Sequence, residues 1–147
     1  MIVLVACLLA HALIAQTVSS PWWVPDLTLV GLVLAVGIRP ARWLAASLVA
    51  ALFSFLWAIR FSGQLFTGSL LCGWLASRVG TRWDATDVRV QALVALLACA
   101  LMTFGMMWLE NLWSLPLLSV ALIHVAITGL CVPTVRRLLI SAARMPM

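Results

Sequence analysis

Charge is scarce in this sequence: only 9% of its 147 residues are charged, whereas 65% are apolar. A soluble domain is about half apolar and about a quarter charged. With a mean hydropathy of +1.18, the chain has more apolar surface than a soluble core of its size can bury. These properties exclude an ordinary soluble domain. They predict an all-α, polytopic membrane protein with a single domain over residues 1–147.

The sequence also lacks the motifs that commonly identify enzymes and cofactor-binding proteins. It contains no HExxH, P-loop, GxGxxG or CxxC. Its four cysteines lie inside apolar runs with no adjacent histidine, which is typical of small residues within helices rather than of zinc sites or disulfides. We therefore expect no cofactor and no metal.

Basic charge is not clustered in the way that nucleic-acid binding requires. All basic residues are arginines, and they stand singly or in pairs at the ends of apolar runs. Electrostatic binding to nucleic acid needs a basic face or stripe. The net charge of +5 is instead typical of membrane topology, so membrane lipids and no nucleic acid are the expected partners.

Six apolar segments predict six membrane-spanning helices, at residues 1–18, 22–38, 43–59, 61–77, 90–109 and 117–135. Residues 78–89 form the most hydrophilic stretch, and we predict a water-facing loop there because hydrocarbon cannot satisfy its polar groups. Within this loop, the spacing of Asp84 and Asp87 predicts a helix N-cap followed by an acid at its third position.

An even number of spans places both termini on one side of the membrane. That side then collects eight of the nine arginines, namely Arg39, Arg42, Arg78, Arg82, Arg89, Arg136, Arg137 and Arg144. The other side holds Arg60, Asp26 and Glu110. Since cytoplasmic loops are enriched in basic residues, both termini are predicted to be cytoplasmic.

The hypothesis that the chain is an enzyme depends on Ser69 and His124, which are predicted to lie at matching depths on the fourth and sixth spans. Rhomboid-type intramembrane proteases also place their serine and histidine on the fourth and sixth core spans. However, the GxSG motif of those proteases is present here only as Gly68-Ser69-Leu70. Nucleophile activation requires hydrogen-bond contact, which matched depth does not establish. We therefore predict that the chain is not an enzyme.

The hypothesis that the chain is a transporter depends on polar residues within the spans, because carriers bind their substrates near mid-membrane. Gln64, Thr67, Ser69 and His124 are candidates to line a small-molecule pocket, but hydrogen bonding between helices is the favoured interpretation. No ionisable acid is predicted deep in any span, which argues against proton-coupled transport.

The residues favour a third hypothesis, a scaffold subunit. Such a subunit binds other membrane proteins through helix faces and short loops. The expected contact surfaces are the outer turn at residues 22–26, the helix face at 63–73 and the loop at 78–89. The candidate partner-binding residues are Trp22, Asp26, Arg39, Gly63, Gly73 and Arg82. For Asp26 and Arg39, a helix cap and a topology anchor are the alternative roles.

The order of short motifs resembles the rod shape-determining MreD family of bacterial cell-wall elongation. Pro25-Asp26-Leu27 opens the second span, and Arg39-Pro40-Ala41-Arg42 forms a basic turn after it. Ser62-Gly63 forms the next turn, and Gly73-Trp74-Leu75 follows about ten residues later. The chain departs from the family pattern in the third span, where alanines near Ala46 and Ala50 stand in place of glycines.

This resemblance implies a non-enzymatic, multi-pass subunit of the bacterial inner membrane. It would act as a scaffold of the cell-shape and peptidoglycan elongation complex (the elongasome), with an MreC-like membrane protein and the wall-elongation machinery as partners. The family is thought to share its six-helix fold with S components, the substrate-binding subunits of energy-coupling-factor vitamin transporters. An S component is therefore the alternative, together with a small structural subunit of another membrane complex.

Overall fold

The computed structural model describes residues 1–17, 24–57, 62–84 and 86–143, and within these ranges the chain is all-helical. Six α-helices follow in order: α1 Ile2–Thr17, α2 Leu27–Ile38, α3 Trp43–Trp57, α4 Ser62–Arg82, α5 Val88–Leu109 and α6 Leu115–Ala143. A short 3₁₀ helix, Pro40–Arg42, connects α2 to α3. The all-α class and the number of helices agree with the sequence prediction.

Helix α2 is the centre of the bundle. Its sequence is almost wholly aliphatic, and every residue from Leu27 to Gly37 is buried. The other five helices all pack against it. An apolar surface on all sides is typical of a helix that other helices surround completely. With twelve residues, α2 is only about 18 Å long at 1.5 Å per residue.

Small residues set the closest helix contacts. A Cβ atom added to Gly31 of α2 would lie 2.6 Å from Cβ of Cys7 on α1. In the same way, Gly73 of α4 lies directly against the buried Ser47 of α3. Glycine lets two helix backbones approach each other in a way that larger residues prevent. Ala46 and Ala50 of α3 are also buried, so α3 presents small residues to the interior without a glycine of its own.

Two helices, α5 and α6, are long and apolar enough to span a membrane. Their most apolar windows are only 33% and 28% buried. A core helix of a soluble protein would be mostly buried, whereas these helices expose apolar side chains such as Leu101 and Leu130. The exposed apolar surface supports an association with the membrane.

Three predicted helix boundaries are corrected by the structure. The second helix begins at Leu27 rather than at residue 22, α4 continues to Arg82 rather than ending at residue 77, and α6 continues to Ala143 rather than ending at residue 135. Hydropathy marks where a helix leaves the apolar region, but a helix ends where its backbone hydrogen bonds end. Both extensions begin with arginine, which has good helix propensity, so α4 and α6 continue past the first charged residue.

The connection between α4 and α5 is also shorter than predicted, since α4 contains residues 78–82 and α5 begins at Val88. Asp87, rather than Asp84, is the N-cap of α5, and its carboxylate accepts a hydrogen bond from Arg89 N at 2.8 Å. Asp84 instead organises the turn, because its Oδ1 accepts from the Thr86 hydroxyl at 2.7 Å and from Thr86 N at 2.8 Å.

These two bonds give the turn a defined pH dependence. The Thr86 hydroxyl and, secondarily, its backbone N–H hold the pKa of Asp84 below its ordinary value of 3.8. Because folding lowers this pKa, the ionised carboxylate stabilises the folded turn at pH values above the unfolded pKa. This contribution is lost as the pH falls through the folded pKa. We expect Thr86→Val to raise the pKa of Asp84 toward 3.8, as measured by NMR titration of its carboxyl carbon.

Thr81→Val is the matched control, because the Thr81 hydroxyl donates to Arg78 O and not to Asp84. An unchanged pKa of Asp84 in Thr86→Val, or an equal change in both variants, would contradict the role of the Thr86 hydroxyl.

Candidate functional site

Asp26 begins the central helix. Its Oδ1 accepts a hydrogen bond from Leu29 N at 3.1 Å, which makes Asp26 the N-cap of α2. The alternative role of Asp26, a helix cap, is thus confirmed, and its role in partner binding stays a prediction. Asp26 also makes a contact that its local sequence does not reveal, since its backbone N–H donates to the hydroxyl of Thr128 on α6 at 3.0 Å. One residue therefore starts α2 and attaches that helix to α6.

The Thr128 hydroxyl joins two backbones. It accepts from Asp26 N and donates to the carbonyl oxygen of His124, one turn earlier on α6, at 2.9 Å. Thr128 is 0% exposed. This buried hydroxyl therefore acts both as a donor and as an acceptor. Such hydrogen bonds offset the cost of removing a polar group from water.

Asp26 lies at mid-height in the bundle rather than at an outer turn. Thr128, which contacts it, is thirteen residues from the start of α6 at Leu115, or about 20 Å along the helix. In the other direction, α2 extends about 18 Å from Asp26 to its end at Ile38. The prediction that no ionisable acid lies deep in a span concerns depth in the membrane and stays a prediction. Asp26 lies at this height because α2, with twelve residues, is shorter than the about 20 residues of a spanning helix.

Thiol and hydroxyl groups surround the start of α2. The charge of the Asp26 carboxylate acts on the thiols of Cys72 on α4 and Cys99 on α5. The Cys99 thiol also lies 3.9 Å from the hydroxyl of Thr103. Each of these cysteines is free and buried. Together, Asp26, Thr128, Cys72, Cys99 and Thr103 form a cluster of polar and thiol groups that four helices contribute.

The structure does not bring Ser69 and His124 together as a pair. Ser69 is 1% exposed, and its hydroxyl donates to Leu65 O on its own helix at 2.8 Å. Among the described residues, α4 packs mainly on α3, α2 and α5, whereas α6 packs on α5 and α2. The Ser69 hydroxyl thus serves helix α4 itself, which fits the interpretation of the polar residues as structural hydrogen-bonding groups.

An apolar groove contains two of the four residues considered for a small-molecule pocket. Gln64, Thr67 and Gly68 of α4 line it together with Met102 and Gly105 of α5, and its volume is about 380 Å³. Neither Ser69 nor His124 is among its lining residues. The groove therefore lies on the outer side of the α4–α5 pair and has few polar groups with which to orient a polar substrate.

The candidate partner-binding residues are scattered over the bundle. Arg39 and Arg82 are exposed, and Gly63 has no atom within 4 Å of a Cβ added to it, so all three are accessible. Gly73 is buried against Ser47, which corrects its place on a partner-binding face. Trp22 lies outside the described residues.

One end of the bundle, here called the arginine end, collects most of the basic residues. Residues Arg39 and Arg42 share a pocket with Met1 and Ile2, at the start of α1. At the end of α4, Arg78 shares a second pocket with Pro40. The charge of Arg136 on α6 acts on Asp84 in the α4–α5 turn. The ends of five helices thus meet there, in agreement with the predicted grouping of these arginines.

Comparisons with protein-family models, with curated protein sequences and with solved structures find no match to this chain. Thr128 and Ser47 are the main residues that sequence reasoning missed. The only signal for them was a small polar residue within an apolar helix, and the same signal marks many residues that make no interhelical contact.

Proposed function

We propose that this chain is a six-span scaffold subunit of a bacterial inner membrane, with both termini cytoplasmic. The arginine end would face the cytoplasm, since basic residues are retained on that side. Five of the six described helices begin or end near this end. The exposed apolar surfaces of α5 and α6 would face lipid or other membrane proteins.

The scaffold proposal is supported by the two structural roles of Asp26, as a helix cap and as an attachment between helices. In the resemblance to the MreD family, Pro25-Asp26-Leu27 is the motif that opens the second span. Here Asp26 caps α2 and attaches it to Thr128 of α6. The motif thus acts by holding helices in place, and a rigid bundle of this kind suits a subunit that positions other membrane proteins. By this proposal, an MreC-like protein and the wall-elongation machinery are the partners.

A substrate-binding S component is the second candidate. A central helix that begins at mid-height is a feature of transporters, in which the N-termini of half-helices face substrate near the bilayer midplane. Helix α2 has this arrangement, with a polar cluster around its first residue. The two candidates differ in the proteins that they bind, because an S component associates with paired ATPases and a helical coupling protein.

The test is to recover the tagged full chain from native membranes in a mild detergent and to identify the co-purifying proteins by mass spectrometry. We expect an MreC-like protein and components of the wall-synthesis machinery. We also expect Asp26→Asn to retain these partners, because asparagine caps helices as well as aspartate does. A clear loss of partners in Asp26→Asn would instead show that the carboxylate takes part in recognition.

The accessible Gly63 gives a second variant for the same experiment. Leucine at position 63 would project from an open surface of α4, so Gly63→Leu should lower partner recovery about fivefold if that face is the interface. Gly105→Leu is the matched control, since Gly105 also has no atom within 4 Å of an added Cβ. Recovery of ATPases with a coupling protein, or of no partner, would overturn the scaffold proposal.

A further inference from the structure

A lateral cleft between α4 and α5 opens near the arginine end. Its volume is about 600 Å³. The wall formed by α5 is apolar and includes Leu93 and Leu97, which are 44% and 55% exposed. The wall formed by α4 and the following turn contains Arg78, Arg82 and Trp83. The cleft therefore combines two guanidinium groups with an apolar surface that is accessible from the side of the bundle.

In the described part of the chain, no ion pair neutralises the charge of the two arginines. They lie four residues apart on α4, on one face of the helix. The Arg78 guanidinium lies 5.7 Å from the centre of the Trp74 ring, and no carboxylate of the described residues pairs with either arginine. The nearest acids in the chain are otherwise engaged, since Asp84 binds Thr86 and Asp87 caps α5.

The cleft continues into the apolar groove on the same side of the bundle. Trp74 and Leu75 line both spaces. Beyond them, Leu71 and Leu101 extend the apolar wall toward Gln64. From Arg82 to Gln64 the α4 wall is eighteen residues long, or about 27 Å. The combined surface thus has a doubly positive end and a long apolar continuation.

We propose that this surface binds an anionic phospholipid, with its phosphate between Arg78 and Arg82 and an acyl chain along the α4–α5 groove. Arginine is well suited to bind phosphate, because its planar guanidinium donates paired hydrogen bonds. Basic pockets between membrane helices on the cytoplasmic side are typical sites for lipid headgroups. The proposal rests on the membrane placement of the bundle and not on the identity of its protein partner.

Charge and shape together favour this occupant. Inorganic phosphate would match the arginines but leave the apolar walls of Leu93 and Leu97 uncovered. A transmembrane helix from a partner or a second copy would cover these leucines but provide no anion for Arg78 and Arg82. A phospholipid satisfies both ends of the surface.

The test is a titration of the purified full chain with phosphatidylglycerol in neutral detergent, followed by native mass spectrometry. We expect wild-type protein to bind one lipid molecule more tightly than the rest, and to prefer it to phosphatidylcholine. Arg78→Gln/Arg82→Gln should weaken this binding about 25-fold, since each basic residue near an anionic surface contributes about fivefold. Leu97→Trp, which fills the cleft and keeps both arginines, should also weaken it.

Arg89→Gln/Arg137→Gln is the control, because it removes two exposed arginines that do not line the cleft. The proposal is overturned if this control weakens binding as much as Arg78→Gln/Arg82→Gln, or if the latter binds like wild type. It is also overturned if millimolar inorganic phosphate displaces the lipid, which would indicate a phosphate site. If the protein is a dimer that Leu97→Trp dissociates, and lipid binding is unchanged, the groove is a helix interface and the proposal is overturned.

Discussion

Gly73→Ala is expected to lower the free energy of unfolding by about 2 kcal/mol, because it overfills the contact between α3 and α4. A Cβ atom at position 73 would overlap Oγ of Ser47 and lie 3.0 Å from its Cβ. Rotation of the Ser47 side chain would relieve only the first overlap. It would also break the bond from the Ser47 hydroxyl to Trp43 O at 2.8 Å. The measurement is unfolding in detergent followed by circular dichroism.

A compensating change tests this explanation. Ser47→Gly removes both atoms that an alanine at position 73 would meet. Gly73→Ala should therefore destabilise the Ser47→Gly protein much less than it destabilises wild type. Gly105→Ala is the matched control, and because no atom lies within 4 Å of its added Cβ, it should leave stability equal or slightly raised. Equal losses at positions 73 and 105 would contradict the packing argument.

Thr128→Val is expected to lower the free energy of unfolding by about 1–2 kcal/mol. Valine has nearly the shape of threonine, so the packing of α6 is retained while the hydroxyl is lost. Asp26 N then has no acceptor in a partly buried position, and the start of α2 loses its attachment to α6. Thermal unfolding in the same detergent measures the loss, and Thr128→Ser, which keeps the hydroxyl, should recover part of it.

Thr134→Val on the same helix is the control for Thr128→Val. The Thr134 hydroxyl bonds only to the carbonyl oxygen of Leu130, and the side chain is exposed. Its loss should change stability by less than about 0.5 kcal/mol, as for surface substitutions in general. If Thr128→Val is as stable as Thr134→Val, the hydrogen bond to Asp26 does not stabilise the bundle.

The local features of the candidate site were predictable. Asp26 follows Pro25 and precedes an apolar run, and this pattern predicts a helix N-cap by short-range chemistry alone. The same rule identified an N-cap before α5 but assigned it to Asp84, whereas the structure assigns it to Asp87. Both aspartates can accept from a backbone N–H two residues later, so the choice between them depends on where the last turn of α4 ends.

The sequence by itself determined the helical class, the apolar segments and the grouping of arginines at one end. These properties follow from transfer free energies and propensities that belong to each segment separately. Only the tertiary structure decided that α2 is central and short, that Asp26 contacts Thr128, and that Gly73 contacts Ser47. Such contacts depend on the rotation and depth of one helix relative to another. Hydropathy does not encode these quantities, because many apolar side chains cover a helix surface equally well.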